Sequence, residues 1–325
     1  MNSFGQIFRI SIYGESHGKS VGVLIDGVPA GISLKSEDFE KDILRRKPNK
    51  TGTTPRIEED FPNITSGIFN DKTTGAPINI YFENKNTKSS DYDFVLQTPR
   101  PGHADFVASR KYKGFNDYRG SGHFSGRLSL PLVAAGVIAK KNIPEIEIEA
   151  EILEIGGEKD YSSILEKTIA EGDSLGGIIE CTAKNMPIGL GKPFFNSLES
   201  MISHLIFSIP GIKGIEFGNG FEAAKTKGSE NNDRYISTDG KTATNNAGGI
   251  NGGISNGNDL IFRVAVKPTS SISKTQETLN FQTKEIENLN IEGRHDACIA
   301  LRMSVIIEAC TAIVLADMIM VNKAR

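Results

Sequence analysis

The chain has 325 residues, 38% of them hydrophobic, with 37 basic and 40 acidic side chains and a net charge of −3. A chain of that length buries a core without disulfide or metal staples, and so balanced a charge offers no global field for nucleic acid or an anionic membrane. Its three cysteines, Cys181, Cys298 and Cys310, are too scattered for a disulfide framework and form no CxxC pair, which reads as reduced thiols in a cytoplasmic protein.

The opening MNSFGQIFRI lacks the basic n-region and long apolar run of a signal peptide. Strands are predicted at 7–13 and 21–25, the second ending at the turn pair Asp26-Gly27. Ser36 opens an acidic amphipathic helix to about Arg46, closed by Pro48. A strand follows at 76–83. The stretch 126–141 is a helix, apolar nearly throughout, with Lys140 and Lys141 at its C-terminal end, where cations complement the helix dipole. Strands at 146–155 and 176–183 flank a helix at 161–172, and a helix near 197–209 precedes a strand at 212–217. The polar, Gly- and Asn-rich stretch 226–253 shows no pattern, and loops of that length are functional or disordered. A strand at 259–266 leads to Lys267-Pro268.

The last helix is predicted to start just after His295-Asp296, with Asp296 suited to its N-cap. Its apolar run, 297–321, has the length of a membrane span but carries Arg302, Glu308 and Asp317. Such charges cost ~2.5–3.5 kcal/mol each at depth, so a helix buried in a protein core is expected. No repeat or linker divides the chain, which reads as one domain over 1–325. Strands outnumber parallel crossover units, giving an α+β fold with buried helices packed on antiparallel sheets.

Four of the five histidines, His17, His103, His123 and His295, sit beside glycines and charged residues, in GESHG, RPGHAD, GSGHFSGR and EGRHDAC. Histidine titrates near neutrality and is the usual general acid or base. His204 lies in a helical pattern and reads as structural. No HxH, HxxxH or Cys/His cluster occurs, so no metal site is expected. Basic residues recur in the same stretches: Arg45, Arg46, Arg100, Arg119, Arg127, Lys267 and Arg294. Arginine forks match phosphate and carboxylate oxygens, and neighbouring glycines let backbone N–H groups approach an anion. There is no GxxxxGK[ST] and no strand–GxGxxG–helix unit, so nucleotide binding of those kinds lacks support. The residues alone give an α+β enzyme with a His/Arg/Gly pocket for a small polyanion, or a non-enzymatic polyanion-binding module.

The segments FGQIFRISIYGESHGKSVGVLIDGVPAG, RRKP, RPGHAD, KYKGFNDYRGSG, VAAGVIAKK, GIKGIEFGNGF, NNAGGINGGISNG, VKPTSSI and GRHDAC resemble, in order, the motifs of the chorismate synthase family. They span residue 4 to about 310. The resemblance implies a large domain with long buried helices sandwiched between antiparallel sheets, assembled as a homotetramer. It implies a lyase that eliminates phosphate from C3 and a proton from C6 of 5-enolpyruvylshikimate-3-phosphate, giving chorismate with reduced FMN required. It further implies His17 as the acid for the leaving phosphate, with Ser16 in its relay. His103 would support the reduced flavin, and Asp296 would carry away the C6 proton. FMN contacts would fall on His123, Phe124, Ser125, Pro210, Gly211, Gly252, Lys267, Pro268, Thr269, Ser270, Ser271 and Arg294. Substrate contacts would fall on Arg46, with Arg45 and Arg127 beside it. In members that reduce their own flavin, the Arg46 position contacts NADPH. No reductase domain is appended here, so an external reductase using NAD(P)H is expected, with no nucleic-acid or membrane partner. An impaired flavin-binding relative is the alternative.

Three departures from the family pattern stand out. GGGRSSARET reads GSGHFSGRLS, placing His123 and Phe124 where Arg and Ser are usual. Ala297 replaces a usual Pro. Gly52 stands where a second arginine is common, with Lys50 as a candidate replacement.

Overall fold

The computed structural model describes residues 2–54, 58–87, 89–291, 293 and 295–324. The N-terminal half builds β1 (Ser3–Phe4), β2 (Arg9–Gly14), β3 (Ser20–Asp26), α1 (Glu40–Arg46), β4 (Asn63–Ser66), β5 (Ile68–Phe69), β6 (Lys72–Thr73), β7 (Ile78–Glu83), α2 (Asp105–Lys111) and α3 (Ser129–Asn142). There follow β8 (Glu147–Ile155), α4 (Ser162–Ala170), β9 (Gly177–Lys184), α5 (Leu198–Ile206), β10 (Ile212–Phe217) and α6 (Gly228–Asn231). The chain closes with β11 (Ile250–Asn251), β12 (Ile254–Ser255), β13 (Leu260–Val266), β14 (Gln276–Leu279), β15 (Ile286–Leu289) and α7 (Ser304–Lys323).

Two antiparallel sheets carry the architecture, one in the order β1-β2-β3-β7-β4 and the other β10-β13-β9-β8. Each turns one apolar face inward with the period of two that a pleated strand imposes. Ile78, Ile80 and Phe82 on β7 are buried this way, as are Leu260, Phe262, Val264 and Val266 on β13. Between the sheets lie α3, packed on β3 and β7, and α7, packed on β8 and β9, and the two helices pack on each other. Apolar nearly all round, both can only be core helices. Gly136 on α3 makes the crossing close: a Cβ there would stand 2.3 Å from the Cβ of Ala309 on α7. Although α7 has the length and apolarity of a membrane span, it is buried from Val305 to Asp317. The fold is α+β, with its long helices sandwiched between antiparallel sheets.

The charges on α7 have partners, as buried charges must. Asp317 accepts backbone N–H bonds from Gln6, Ile7 and Phe8 at 2.9, 2.7 and 3.0 Å, pinning the N-terminal segment to the helix. Glu308 accepts both arms of Arg45 at 2.7 and 2.6 Å, together with Lys140 at 3.2 Å and the Ala150 N–H at 3.0 Å. Cys181, Cys298 and Cys310 are buried and unpaired, and burial pushes the Cys181 thiol up to about 12.

One expectation needs correction. Asp296 does not cap the last helix: a 3-10 turn at Ile299–Arg302 intervenes, and α7 starts at Ser304 with no side-chain cap. The carboxylate of Asp296 instead accepts the Thr54 N–H at 2.9 Å and Arg302 Nη2 at 2.7 Å. Within the stretch 226–253, Asp233 gathers the chain by accepting from Thr244 Oγ1 and the N–H groups of Asn246 and Ala247 at 2.7, 2.7 and 2.9 Å. Sequence reading also passed over α2 and the β14–β15 hairpin.

Candidate active site

Loops from both sheets and the ends of the core helices line an open cavity of about 850 Å³, near the upper end of the usual range for small-molecule sites. The loop after β2 contributes Ser16 and His17, the end of α1 contributes Arg46, and the segment before α2 contributes Arg100, Gly102, His103 and Ala104. Turns at 119–124 and 126–128 form one wall. The α5–β10 loop, the loop after β13 and the segment before α7 form the other.

Ser16 and His17 are buried. The His17 ring packs edge-on against Tyr92 with centroids 5.3 Å apart, and Gly120 lies against its other side. Ser16 Oγ and Thr269 Oγ1 are buried with no hydrogen-bond partner among the described residues. An orphaned hydroxyl on a cavity wall costs about 1–3 kcal/mol unless a ligand or water meets it. Across the cavity, Asp296 is tied to Arg302 and to the backbone at Thr54.

Three arginines, Arg46, Arg127 and Arg302, crowd one end of the cavity. Arg46 donates to Ser129 Oγ and to the Gly126 carbonyl, both at 3.0 Å, and lies 3.7 Å from Asp60. Burial pushes Arg46 down to about 9 against the pull of Asp60, with Arg302 and Arg127 adding to the fall, so it stays charged at neutral pH. Arg127 donates to Asp60 at 2.6 Å, Asn84 Oδ1 at 2.7 Å and the Glu83 carbonyl at 3.2 Å. Its contribution is therefore more field than free donor. At the other end, Lys267 donates to the Gly102 carbonyl at 2.6 Å. Partial burial and the nearby Lys213 push its ammonium below the usual lysine range. Among the described lining residues, Arg46, Arg100, Arg127, Lys213, Lys267 and Arg302 outnumber Glu58, Asp60 and Asp296. In a chain of net charge −3, that excess marks a place for anions.

The cavity gathers Ser16, His17, His103 and Asp296, together with His123, Phe124, Ser125, Pro210, Gly211, Lys267, Pro268, Thr269, Ser270, Ser271, Arg46 and Arg127. Two of the expected site residues are not brought there. Arg45 points to the opposite side of α1 and into the Glu308 cluster. Gly252 sits in the turn between β11 and β12, outside the lining. Arg294 lies outside the described residues. Lys50 is exposed and does not line the cavity. At the neighbouring Gly52, the carbonyl accepts the N–H groups of Ala297 and Cys298 at 2.9 and 3.2 Å. The His123 ring reaches the Gly14 carbonyl at 2.8 Å and Asn2 Oδ1 at 3.2 Å, so it braces the N-terminal strands while bordering the cavity. Sequence reading missed Arg302, Lys213 and Asp60. Arg302 carries a signal, a charge in an apolar run, which by itself speaks only against a membrane span.

A family model described as chorismate synthase matches residues 8–320. The chain belongs to the chorismate synthase family. It is 61% identical to the chorismate synthase of Chitinophaga pinensis, over 99% of this chain and 98% of that one. It is 46% identical to that of Dehalococcoides mccartyi, covering 98% and 96%. With the Methanosarcina mazei chorismate synthase the identity is 44%, covering 97% and 95%. A crystal structure of chorismate synthase matches with a TM-score of 0.76 at 27% identity, over 98% of this chain and 93% of that one. The activity is that of the family, a lyase of the shikimate pathway.

Proposed function

We propose that the cavity takes 5-enolpyruvylshikimate-3-phosphate with reduced FMN and carries out a 1,4-anti elimination to chorismate and inorganic phosphate. The observation behind this reading is that Ser16, His17, His103 and Asp296, from opposite ends of the chain, meet in one cation-rich cavity. In the elimination the C3–O bond breaks and its electron pair leaves with phosphate. The C6–H bond breaks and its pair forms the C1=C6 double bond, the C1=C2 pair shifts to C2=C3 where the phosphate has left, and no net redox change results. His17 donates a ring proton to the departing phosphate, whose charge rises as the bond breaks. Ser16, with its unpartnered hydroxyl, joins that relay. Asp296, oriented by Arg302 and the Thr54 N–H, takes the C6 proton. Arg46 meets the substrate's anionic groups, and Arg127 adds to the field while anchoring Asp60.

The other end of the cavity fits FMN. Thr269 Oγ1 is orphaned there, and Lys267, Lys213, Ser270 and Ser271 line the same wall, a donor set matched to a phosphate. His123, Phe124, Ser125, Pro210, Gly211 and Pro268 border the ring system. When bound, reduced FMN lends electron density to the substrate as the C–O bond breaks. His103 offers its ring to the anionic reduced flavin. Reduced FMN comes from an external reductase using NAD(P)H, and the enzyme works as a cytoplasmic homotetramer.

The test is an anaerobic assay of the purified protein with 5-enolpyruvylshikimate-3-phosphate and photoreduced FMN. Chorismate and phosphate are expected in equal amounts, and both are expected to vanish in His17→Ala and Asp296→Ala. Absence of product from the unaltered protein while FMN still binds would overturn the reading in favour of an impaired flavoprotein.

A further inference from the structure

His103 is one member of a closed network. Its Nδ1 lies 2.7 Å from Asp105 Oδ1 and 3.1 Å from Arg100 Nη2, and its Nε2 lies 3.1 Å from the Ser121 hydroxyl. Arg100 donates from Nε and Nη2 to the two oxygens of Asp105 at 2.7 and 2.8 Å, and from Nη1 to Ser271 Oγ at 3.0 Å. Its Nη2 also reaches Ser121 Oγ at 3.2 Å. The shortest of these contacts, 2.7 Å from Nδ1 to a carboxylate oxygen, points to where the ring hydrogen sits. Two acceptors 2.7 Å apart repel each other, so Nδ1 must carry the hydrogen and donate it to Asp105. The longer approach of Arg100 Nη2 is then a contact between donors that share the same carboxylate. In the neutral ring, Nε2 is left as the acceptor for the Ser121 hydroxyl.

We propose that Asp105 is a positioning residue for the reaction, pinning His103 as the Nδ1–H tautomer so that Nε2, beside Ser121, is the nitrogen that gains and gives a proton. This rests on the role proposed above for His103. A carboxylate that holds the distal nitrogen of a histidine in this way both orients the ring and stabilises its charged form. The charged groups around the ring are Arg100 and Asp105 from the start of α2 and the loop before it, and Lys267 from the loop after β13. Burial pushes His103 below its ordinary range, Asp105 opposes that fall, and Arg100 and Lys267 add to it. Burial alone would raise Asp105, but the hydrogen bonds from Arg100 and His103 hold its carboxyl well below the usual range. The counter-charge is therefore in place throughout the working pH range. Ser121 is held at a φ of 69°, which non-glycine residues seldom adopt, and there its hydroxyl lies within reach of both Nε2 and Arg100.

Nitrogen NMR of the full chain labelled with ¹⁵N-histidine reads the tautomer directly, with His103→Ala assigning the signal. The expected result is a protonated Nδ1 at neutral pH and a titration below the usual histidine range. In Asp105→Asn the titration moves to still lower pH, because the group that opposed the fall is gone. Chorismate formation is expected to drop by about ten- to a hundredfold with substrate KM little changed. A protonated His103 is the donor, so activity is lost as pH rises through its pKa, and that limb also moves to lower pH. An Nε2–H tautomer in the unaltered protein would overturn the proposal without any variant having to fold. So would an Asp105→Asn protein with the titration and pH limb unmoved. Full turnover by His103→Ala, with the tautomer as expected, would overturn the role of His103 itself and with it any part for Asp105 in the reaction.

Discussion

Gly120 lies against the ring of His17. A Cβ there would come within 2.3 Å of Cδ2, 2.5 Å of Nε2 and 3.0 Å of Ser16 Oγ, and the residue's φ of +56° is one that side chains resist. Gly120→Ala is therefore expected to push the imidazole from its place rather than merely to strain a turn. Misplacing a reacting group by about 1 Å costs roughly a hundredfold in rate. The predicted outcome is a fall in kcat of that order, with the protein still folded and its circular dichroism spectrum unchanged. A variant with native kcat would show that His17 has room to spare and that the glycine serves only the turn. At this scale the sequence was legible where chemistry and backbone share a motif. GESHG and GRHDAC carried His17 and Asp296, and RPGHAD carried His103 together with Asp105, although the pairing of those two could not be read. Asp60 escaped because nothing local marks it and its partner Arg127 is distant in the chain, and Arg302 because a charge in an apolar run does not name Asp296 as its partner.

On α1, Arg45 and Arg46 are adjacent in sequence and opposite in purpose. A helix turns about 100° per residue, so neighbours face different surroundings, and a reading by motif cannot separate them. Arg46 faces the cavity with its donors on Ser129 and Gly126, while Arg45 grips Glu308 on α7. Removing Arg45 leaves a buried carboxylate with Lys140 and the Ala150 N–H still in place. Arg45→Ala is expected to cost about 1–3 kcal/mol, less than a fully severed buried pair because Arg45 is partly exposed and Lys140 remains. The expected signature is a lower urea midpoint with KM and kcat unchanged. Arg46→Ala is expected to raise the substrate KM at least tenfold, the loss of one charge-assisted contact. A raised KM in Arg45→Ala would return Arg45 to the substrate site. The same limit explains the misplaced start of α7. Asp296 has the composition of an N-cap, but its carboxylate is held by Thr54 and Arg302, so the helix begins later, at Ser304. Tertiary partners outcompeted a local capping preference.

Across the whole molecule, layering was legible and closure was not. Alternating apolar strands and helices apolar on every side point to buried helices packed on antiparallel sheets, and the sandwich that the family resemblance implies is the architecture found. The cavity is made of loops contributed by both sheets, and no periodicity predicts which loops meet. Nor does the net charge of −3 foretell a lining richer in cations than in carboxylates. The placement of charge has a consequence for the fold as a unit. Hydrogen bonds and cations hold Asp105, Asp117, Asp173 and Asp233 below their ordinary value of 3.8. For such groups the unfolded chain binds protons more readily, so their stabilisation is complete above the unfolded pKa and is lost as pH falls through the folded one. His103 acts in the same direction from a higher starting point. Its folded pKa lies below 6.5, so the unfolded chain again takes the proton first, and stability declines once pH drops below about 6.5. Urea midpoints are therefore expected to fall in two stages, gently from about pH 6.5 and steeply below about pH 4. The shares of the more exposed carboxylates will be small. His103→Ala is expected to flatten the first stage and leave the second. Midpoints that hold steady down to pH 4 in the unaltered protein would mean that His103 keeps its proton affinity on folding, and that the network around it is looser than its distances imply.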